Sequence, residues 1–96
     1  MWEGNTVAVD VICQHSRDGT LIPLKVRVTD EEGEYQTYNI KGYKDHSHQG
    51  SRTLPTGVFV TNNTIVFECE IISFGRKRKI WLYYEESHRM VWTMSA

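Results

Sequence analysis

Apolar and polar residues alternate with a period of two along most of the chain, the spacing that places successive side chains on opposite faces of a β-strand. The strongest alternation covers residues 65–72, in which Ile65, Phe67, Cys69 and Ile71 share one face while Glu68 and Glu70 lie on the other. Weaker versions of the pattern occupy residues 6–15, 21–29, 34–43, 79–85 and 91–94. No stretch of about 11 residues has helical periodicity. The pattern therefore predicts an all-β protein.

Short polar and glycine-containing segments separate the predicted strands and mark tight turns. Residues 75–78 are expected to close the hairpin that follows the strongest strand. Residues 45–53 are polar and break the alternation, so they are predicted to form the one long loop. A turn at residues 54–57 and a short strand at residues 58–60 follow this loop.

The number and spacing of the strands predict the fold class. Residues 1–96 are expected to form a single domain, a small, partly open antiparallel β-barrel of about five to seven strands in which neighbours in sequence pair. An SH3-like barrel, an OB-like barrel and a two-sheet sandwich all fit this pattern. Pro23 cannot donate a hydrogen bond to a ladder, so the strand that contains it is predicted to begin at an edge.

Composition and charge exclude several classes of protein. The chain is 40% hydrophobic and 24% charged, as in an ordinary globular domain. Its net charge of −1 provides no general attraction to nucleic acid or to anionic membranes. There is neither a signal-peptide pattern nor an apolar run of about 20 residues, so no membrane association is expected. The two cysteines are expected to be free thiols in a reducing cytoplasm.

A cluster of four consecutive cations is the first candidate for function. Arg76, Lys77, Arg78 and Lys79 lie in the predicted turn beside aromatic residues. Such cations can contact phosphates while the neighbouring rings stack on bases, as in proteins that bind single-stranded nucleic acid. The alternative is a solvated hairpin whose charges prevent aggregation at a sheet edge.

Large aromatic side chains are more numerous than a thin barrel can enclose, and they are the second candidate. Trp81 and Tyr83, with His46 and His48 of the long loop, are predicted to form a contact surface for a protein partner or a second copy of the chain. Aromatic residues are enriched at such interfaces. The alternative is a second small core beneath the long loop or the N-terminal Trp2.

Two closely spaced pairs of side chains have the types that ligate metals. Cys13 and His15 share one strand face, and His46 and His48 lie two residues apart in the long loop. No third and fourth ligand follows at the spacing of a known metal site. We therefore expect neither a metal nor a cofactor.

Catalytic patterns are also missing from the sequence. Glu68 and Glu70 share a strand face, but paired acids catalyse reactions only across a cleft and with perturbed pKa values. No nucleophile–base pair and no phosphate-binding glycine loop is recognisable. We expect no catalytic residues and predict that the protein is not an enzyme, so a metal-dependent enzyme that uses the histidines is the least favoured hypothesis.

Three segments, at residues 21–28, 38–43 and 67–71, resemble those of a family of small uncharacterised proteins from anaerobic Gram-positive bacteria. Phe74-Gly75 and Leu82-Tyr83-Tyr84 add to the resemblance, which spans nearly the whole chain. It rests on strand and turn residues, so it concerns the fold. It implies a bacterial, cytoplasmic setting and no activity, cofactor or catalytic residue.

These observations leave two main functional hypotheses. The first is a non-enzymatic interaction module that binds an unknown protein partner or forms a homodimer, with Trp81 and Tyr83 in the contact. The second is a nucleic-acid-binding barrel in which residues 76–79 contact phosphates and Trp81 or Tyr83 stacks on a base.

Overall fold

The computed structural model describes residues 6–85 and 91–95, which contain eight β-strands and no helix. The strands are β1 (Val7–His15), β2 (Leu21–Thr29), β3 (Tyr35–Asp45), β4 (Arg52–Thr53), β5 (Phe59–Val60), β6 (Thr64–Ser73), β7 (Arg76–Glu85) and β8 (Trp92–Ser95). The all-β prediction is confirmed. Among the described residues, no helix is long and apolar enough to cross a membrane. The N-terminal Trp2 lies outside the described residues.

Six of the strands close into an antiparallel barrel in the order β1-β2-β3-β6-β7-β8. β8 returns to β1 through pairs that include Val7↔Met94 and Val9↔Trp92. The prediction of a small antiparallel barrel with five to seven strands is confirmed. The barrel is closed where a partly open form was expected, which removes the two sheet edges that an open form exposes. Because its strands follow chain order, it differs from the Greek-key order of an OB barrel.

The main core fills the interior of the barrel. Val26, Phe67 and Leu82 are at most 1% exposed, and the ring of Trp92 stacks on Phe67 with 6.1 Å between centroids. Burying one such side chain stabilises the fold by about 1.5–3 kcal/mol. The predicted inward faces of two strands are confirmed, with Ile65, Phe67, Cys69 and Ile71 on β6 and Ile80, Leu82 and Tyr84 on β7.

A β-bulge determines which face of β2 lies inside. Ile12 pairs with Lys25 but Cys13 pairs with Pro23, so Leu24 is an extra residue in β2. The alternation therefore inverts at this point: Pro23 is buried, while Leu24 is 39% exposed. The prediction of an edge at Pro23 is wrong for β2 as a whole, which lies between β1 and β3. Pro23 nevertheless precedes Lys25, the residue at which pairing with β3 begins.

The connection from β3 to β4 is shorter than the predicted long loop at residues 45–53. β3 extends to Asp45, and Arg52 begins β4. The guanidinium of Arg52 donates hydrogen bonds to the backbone oxygens of His46 and Gly50 at 2.6 and 2.9 Å. These bonds satisfy backbone acceptors within the connecting segment, and the backbone N–H of His46 donates to the oxygen of Val66 at 2.8 Å, which holds the segment against β6.

A second apolar core lies outside the barrel, where the β4–β5 hairpin covers the outer face of β6 and β7. Its members are Leu54, Val58, Val60, Val66, Trp81 and Tyr83. The predicted turn at residues 54–57 joins the two strands of this hairpin, and a hydrogen bond of 2.9 Å from the backbone N–H of Gly57 to the oxygen of Leu54 closes it. β6 and β7 are therefore packed on both faces.

Burial of Trp81 and Tyr83 corrects the predicted partner surface. These side chains are 8% and 4% exposed, so they are not available to a partner, and the alternative of a second small core is confirmed. The Tyr83 hydroxyl shares hydrogen bonds with Thr56 Oγ1 at 2.9 Å and with Ser95 Oγ at 2.7 Å. It thereby links the covering hairpin to β8. Strand periodicity could not predict that Trp81 and Tyr83 are buried, because it does not show which segment covers the outer face of a strand.

Trp81→Ala removes the largest side chain of the second core. We expect it to lower the free energy of unfolding by about 3–5 kcal/mol, the usual cost of deleting a buried aromatic side chain. The matched control is Phe59→Ala on the covering hairpin, since Phe59 is 63% exposed and its loss should change stability by only about 0.5 kcal/mol. Guanidinium unfolding followed by circular dichroism measures both. Equal unfolding midpoints for the two variants would contradict the second core.

Candidate functional site

The hairpin formed by β6 and β7 carries the cluster of cations. Its ten pairs run from Thr64↔Glu85 to Ser73↔Arg76. Pairing of β7 with β8 begins only at Trp81, and pairing of β6 with β3 reaches only Ile71. Residues 72–79, which we call the distal hairpin, therefore extend past the strands described beside them.

The turn of the distal hairpin consists of Phe74 and Gly75, whose φ angles are 52° and 75°. Positive φ at both central positions is typical of a type I′ turn, which matches the twist of two-residue hairpins and favours Asn-Gly. Gly75 adopts this conformation without steric cost. A residue with a side chain pays about 1–2 kcal/mol for left-handed backbone. The Phe74 side chain is 93% exposed, so no packing offsets this cost.

The four cations lie on β7 and not in a turn, which corrects the predicted turn at residues 75–78. The two-residue turn ends before Arg76, so the strand begins earlier than expected. Alternation along β7 places Lys77 and Lys79 on the outer face and places Arg76 and Arg78 on the inner face, the face of the core residue Ile80. The cluster is therefore divided between two surfaces.

The lysines of the outer face are partly neutralised by β6. Lys79 Nζ lies 2.7 Å from Glu68 Oε2, and Lys77 Nζ lies 3.7 Å from Glu70 Oε2. Lys79 and then His46, by hydrogen bonding, hold the pKa of Glu68 below its ordinary value. The outer face thus combines opposite charges and contributes little net field.

The arginines differ from the lysines in their surroundings. Arg76 and Arg78 are both exposed, and neither forms an ion pair within the described part of the chain. Arginine presents a rigid planar fork of donors that binds carboxylate or phosphate oxygens in pairs. These two residues therefore carry the net positive charge of the distal hairpin.

The two histidines of the predicted contact surface have separate intramolecular partners. The His46 ring stacks on Trp81 with 5.3 Å between centroids, and its Nε2 lies 3.0 Å from Glu68 Oε1. His48 Nδ1 lies 2.8 Å from the backbone oxygen of Asn62. His46 therefore covers the edge of the second core, while His48 contacts the turn before β6.

The described residues contain no group of three or more side chains that could together hold a metal ion. Cys13 and Cys69 are free. Burial raises the pKa of Cys69 to about 12 and also raises that of Cys13. Because the thiolate is the nucleophile, these environments disfavour reactivity.

The paired carboxylates Glu68 and Glu70 share the outer face of β6, as predicted. The lowered pKa of Glu68 favours its ionised form, whereas a general acid requires a raised pKa. The geometry therefore makes these residues partners of lysines.

Phe74 was missed as a candidate site residue. The available signal was the dipeptide Phe74-Gly75 between two strands, in a position where Asn-Gly is usual. Periodicity gives no warning of an exposed ring, because turn residues have no inward or outward face.

The chain matches no protein-family model, no curated protein and no solved structure. The resemblance to small bacterial proteins therefore stays a prediction, together with the bacterial and cytoplasmic setting that it implies.

Glu68→Gln tests the charge pairing on the outer face. A carboxyl whose pKa is lowered on folding stabilises the protein above its unfolded-state pKa, near 4.5, and this stabilisation is lost as the pH falls through the folded-state pKa. We expect the wild type to be more stable than the variant at pH 7 and the difference to shrink below about pH 5. Urea unfolding over this pH range measures the difference.

Glu32→Gln in the exposed β2–β3 turn is the matched control, since it removes the same charge from a residue that forms no ion pair within the described residues. A stability difference between the wild type and Glu68→Gln that did not vary with pH would contradict the assigned pairing.

Proposed function

We propose that this protein is a non-enzymatic binding module whose distal hairpin binds single-stranded nucleic acid. The observation that carries the proposal is Phe74, a 93% exposed ring at positive φ on the tip of a basic hairpin. Phe74 takes the stacking role for which Trp81 and Tyr83, both buried, are unavailable.

The position of Phe74 is unfavourable for folding, which supports a role in binding. Asparagine or glycine would form the same turn with less strain. Backbone conformations of this kind are concentrated at binding and catalytic sites. An exposed aromatic side chain also loses the hydrophobic stabilisation that burial would provide.

The distal hairpin combines the two contacts that single-strand binding requires. The exposed ring can stack on an unpaired base, a contact that contributes about 1–3 kcal/mol. Arg76 and Arg78 follow Phe74 by two and four residues, so their Cα atoms lie within about 7 and 13 Å of it along the strand. The arginines can therefore bind the phosphates that flank a stacked base.

A single strand fits this surface better than a duplex. Bases in a duplex are already stacked, and inserting a side chain between them costs a few kcal/mol per step. The net charge of −1 and the small number of free cations predict modest affinity. We expect a Kd in the range of about 10⁻⁴ to 10⁻⁶ M, typical of non-specific electrostatic binding.

Phe74→Asn distinguishes a binding role from a folding role, because we expect it to raise the stability of the protein and to lower its affinity for nucleic acid. We expect the variant to be more stable than the wild type by about 1 kcal/mol, since asparagine tolerates left-handed backbone. We expect its affinity for a labelled single-stranded oligonucleotide to fall by about 5- to 100-fold, the loss of one stacked base. Fluorescence anisotropy at about 50 and 200 mM salt, with thermal unfolding, measures both effects.

One control variant is matched to the aromatic contact and another to the charge contacts. Phe59→Ala removes an exposed ring elsewhere, and Lys25→Gln/Lys41→Gln removes two exposed charges from β2 and β3. Both should bind like the wild type, whereas Arg76→Gln/Arg78→Gln should bind weakly and with a smaller salt dependence. The proposal fails if the wild type does not bind at low salt or if the controls lose as much affinity as the hairpin variants.

Self-association is a second candidate function, favoured by the charges at one end of the barrel. The β2–β3 turn carries Asp30, Glu31, Glu32 and Glu34. Because β6 runs antiparallel to β3, this acidic turn emerges from the same end of the barrel as the distal hairpin. Two copies facing each other could pair acidic turn with basic hairpin in an isologous dimer.

Charge reversal tests self-association directly. We expect Glu31→Lys/Glu32→Lys and Arg76→Glu/Arg78→Glu each to be monomeric and their equimolar mixture to associate, because only the mixture restores opposite charges. Sedimentation velocity at low and high salt measures the species present. A wild type that stays monomeric at high concentration and low salt would exclude this function.

A further inference from the structure

The barrel has an open cup at the end from which the β2–β3 turn and the distal hairpin emerge. Its apolar wall consists of Val28, Tyr38, Ile71, Ile80 and Met94, and its volume is about 390 Å³. These residues come from β2, β3, β6, β7 and β8. The cup is therefore formed only when the barrel closes.

The cup has a closed floor. Val26 and Leu82, the next inward residues on β2 and β7, are 0% exposed. The interior of the barrel beneath them is filled by the main core. A ligand can therefore occupy the mouth of the barrel and cannot pass through it.

Arg78 supplies the charge at this site. It follows the inward register of β7, two residues before Ile80, and it lines the cup together with Ser73. The guanidinium has no ion-pair partner among the described residues. Lys77 and Lys79 also border the cup, but their ammonium groups pair with Glu70 and Glu68 on the outer face.

We propose that the cup binds a small amphipathic carboxylate, with its apolar part against the wall and its carboxylate on Arg78. The volume lies near the lower end of the range of about 300–1,000 Å³ found for ligand sites, which restricts the ligand to a small molecule. One unpaired guanidinium matches one carboxylate, which it can bind through two parallel hydrogen bonds. The site shares Arg78 with the proposed nucleic-acid contact but does not use Phe74, so a change at Phe74 tests the two proposals separately.

Titration with octanoate, followed by NMR of amide and methyl groups, tests the site. We expect saturable shifts at Val28, Ile71, Ile80 and Met94. Arg78→Gln should weaken octanoate binding about tenfold or more, the effect of losing a charge-assisted hydrogen bond. Lys41→Gln is the matched control, since it removes an exposed positive charge from β3 that does not line the cup. Phe74→Asn should bind octanoate like the wild type, which separates this site from the proposed nucleic-acid contact.

Octan-1-ol, which has the same chain and no charge, is the matched ligand and should bind at least about tenfold more weakly than octanoate. The proposal is overturned if octanoate gives no saturable shifts, or if the shifts are spread over the whole surface. Equal affinities for octanoate and octan-1-ol, or for wild type and Arg78→Gln, would also overturn it.

Discussion

The pairing of β6 with β7 is the interaction on which the rest of this structure depends. Its ten pairs form the longest ladder in the described chain, and buried apolar side chains lie on both of its faces. Phe67 and Leu82 belong to the interior of the barrel, whereas Val66 and Trp81 belong to the second core. A strand pair with two apolar faces is stable in water only if both are covered. The barrel must therefore close on one side, and the β4–β5 hairpin must pack on the other.

This double packing explains why the distal hairpin can tolerate unfavourable features. The base of the hairpin is held by the two cores, so the strain at Phe74 and the concentration of positive charge are supported by stabilisation elsewhere. Glu68 and Glu70 relieve part of the charge repulsion on the outer face. Arg76 and Arg78 lie on the inward face of β7 before Ile80, its first buried residue, and no described carboxylate neutralises them. The β6–β7 hairpin thus contributes to both cores at its base and exposes an aromatic ring and two unpaired arginines at its end.

The two proposed sites differ in how much of the fold each one requires. The stacking contact depends on a single turn residue and on charges along one strand, so it is local in sequence. The cup depends on five strands that meet at the mouth of the barrel, so it exists only in the folded protein. Arg78 belongs to both sites, because inward register brings it to the cup while exposure leaves it accessible to solvent. Occupation of one site could therefore compete with occupation of the other.

Alternation with a period of two was sufficient to predict the strands and the inward faces of β6 and β7, because side-chain direction in a strand follows directly from sequence position. It failed at Leu24, where an extra residue inverts the alternation, and at Arg76, where a two-residue turn starts the strand early. The positions of a bulge and of a turn depend on the register in which two strands pair. The alternation within one strand contains no information about that register.

The sequence by itself determined the all-β class, the pairing of strands joined by short turns (β1 with β2, β2 with β3, β6 with β7) and the clustering of cations. These properties depend on residues that are close together in the chain. Tertiary structure decided that Trp81 and Tyr83 are buried beneath the β4–β5 hairpin, that Lys79 is neutralised by Glu68, and that Arg78 faces a cup. Each of these depends on residues from distant segments, whose relative positions are set only when the barrel closes.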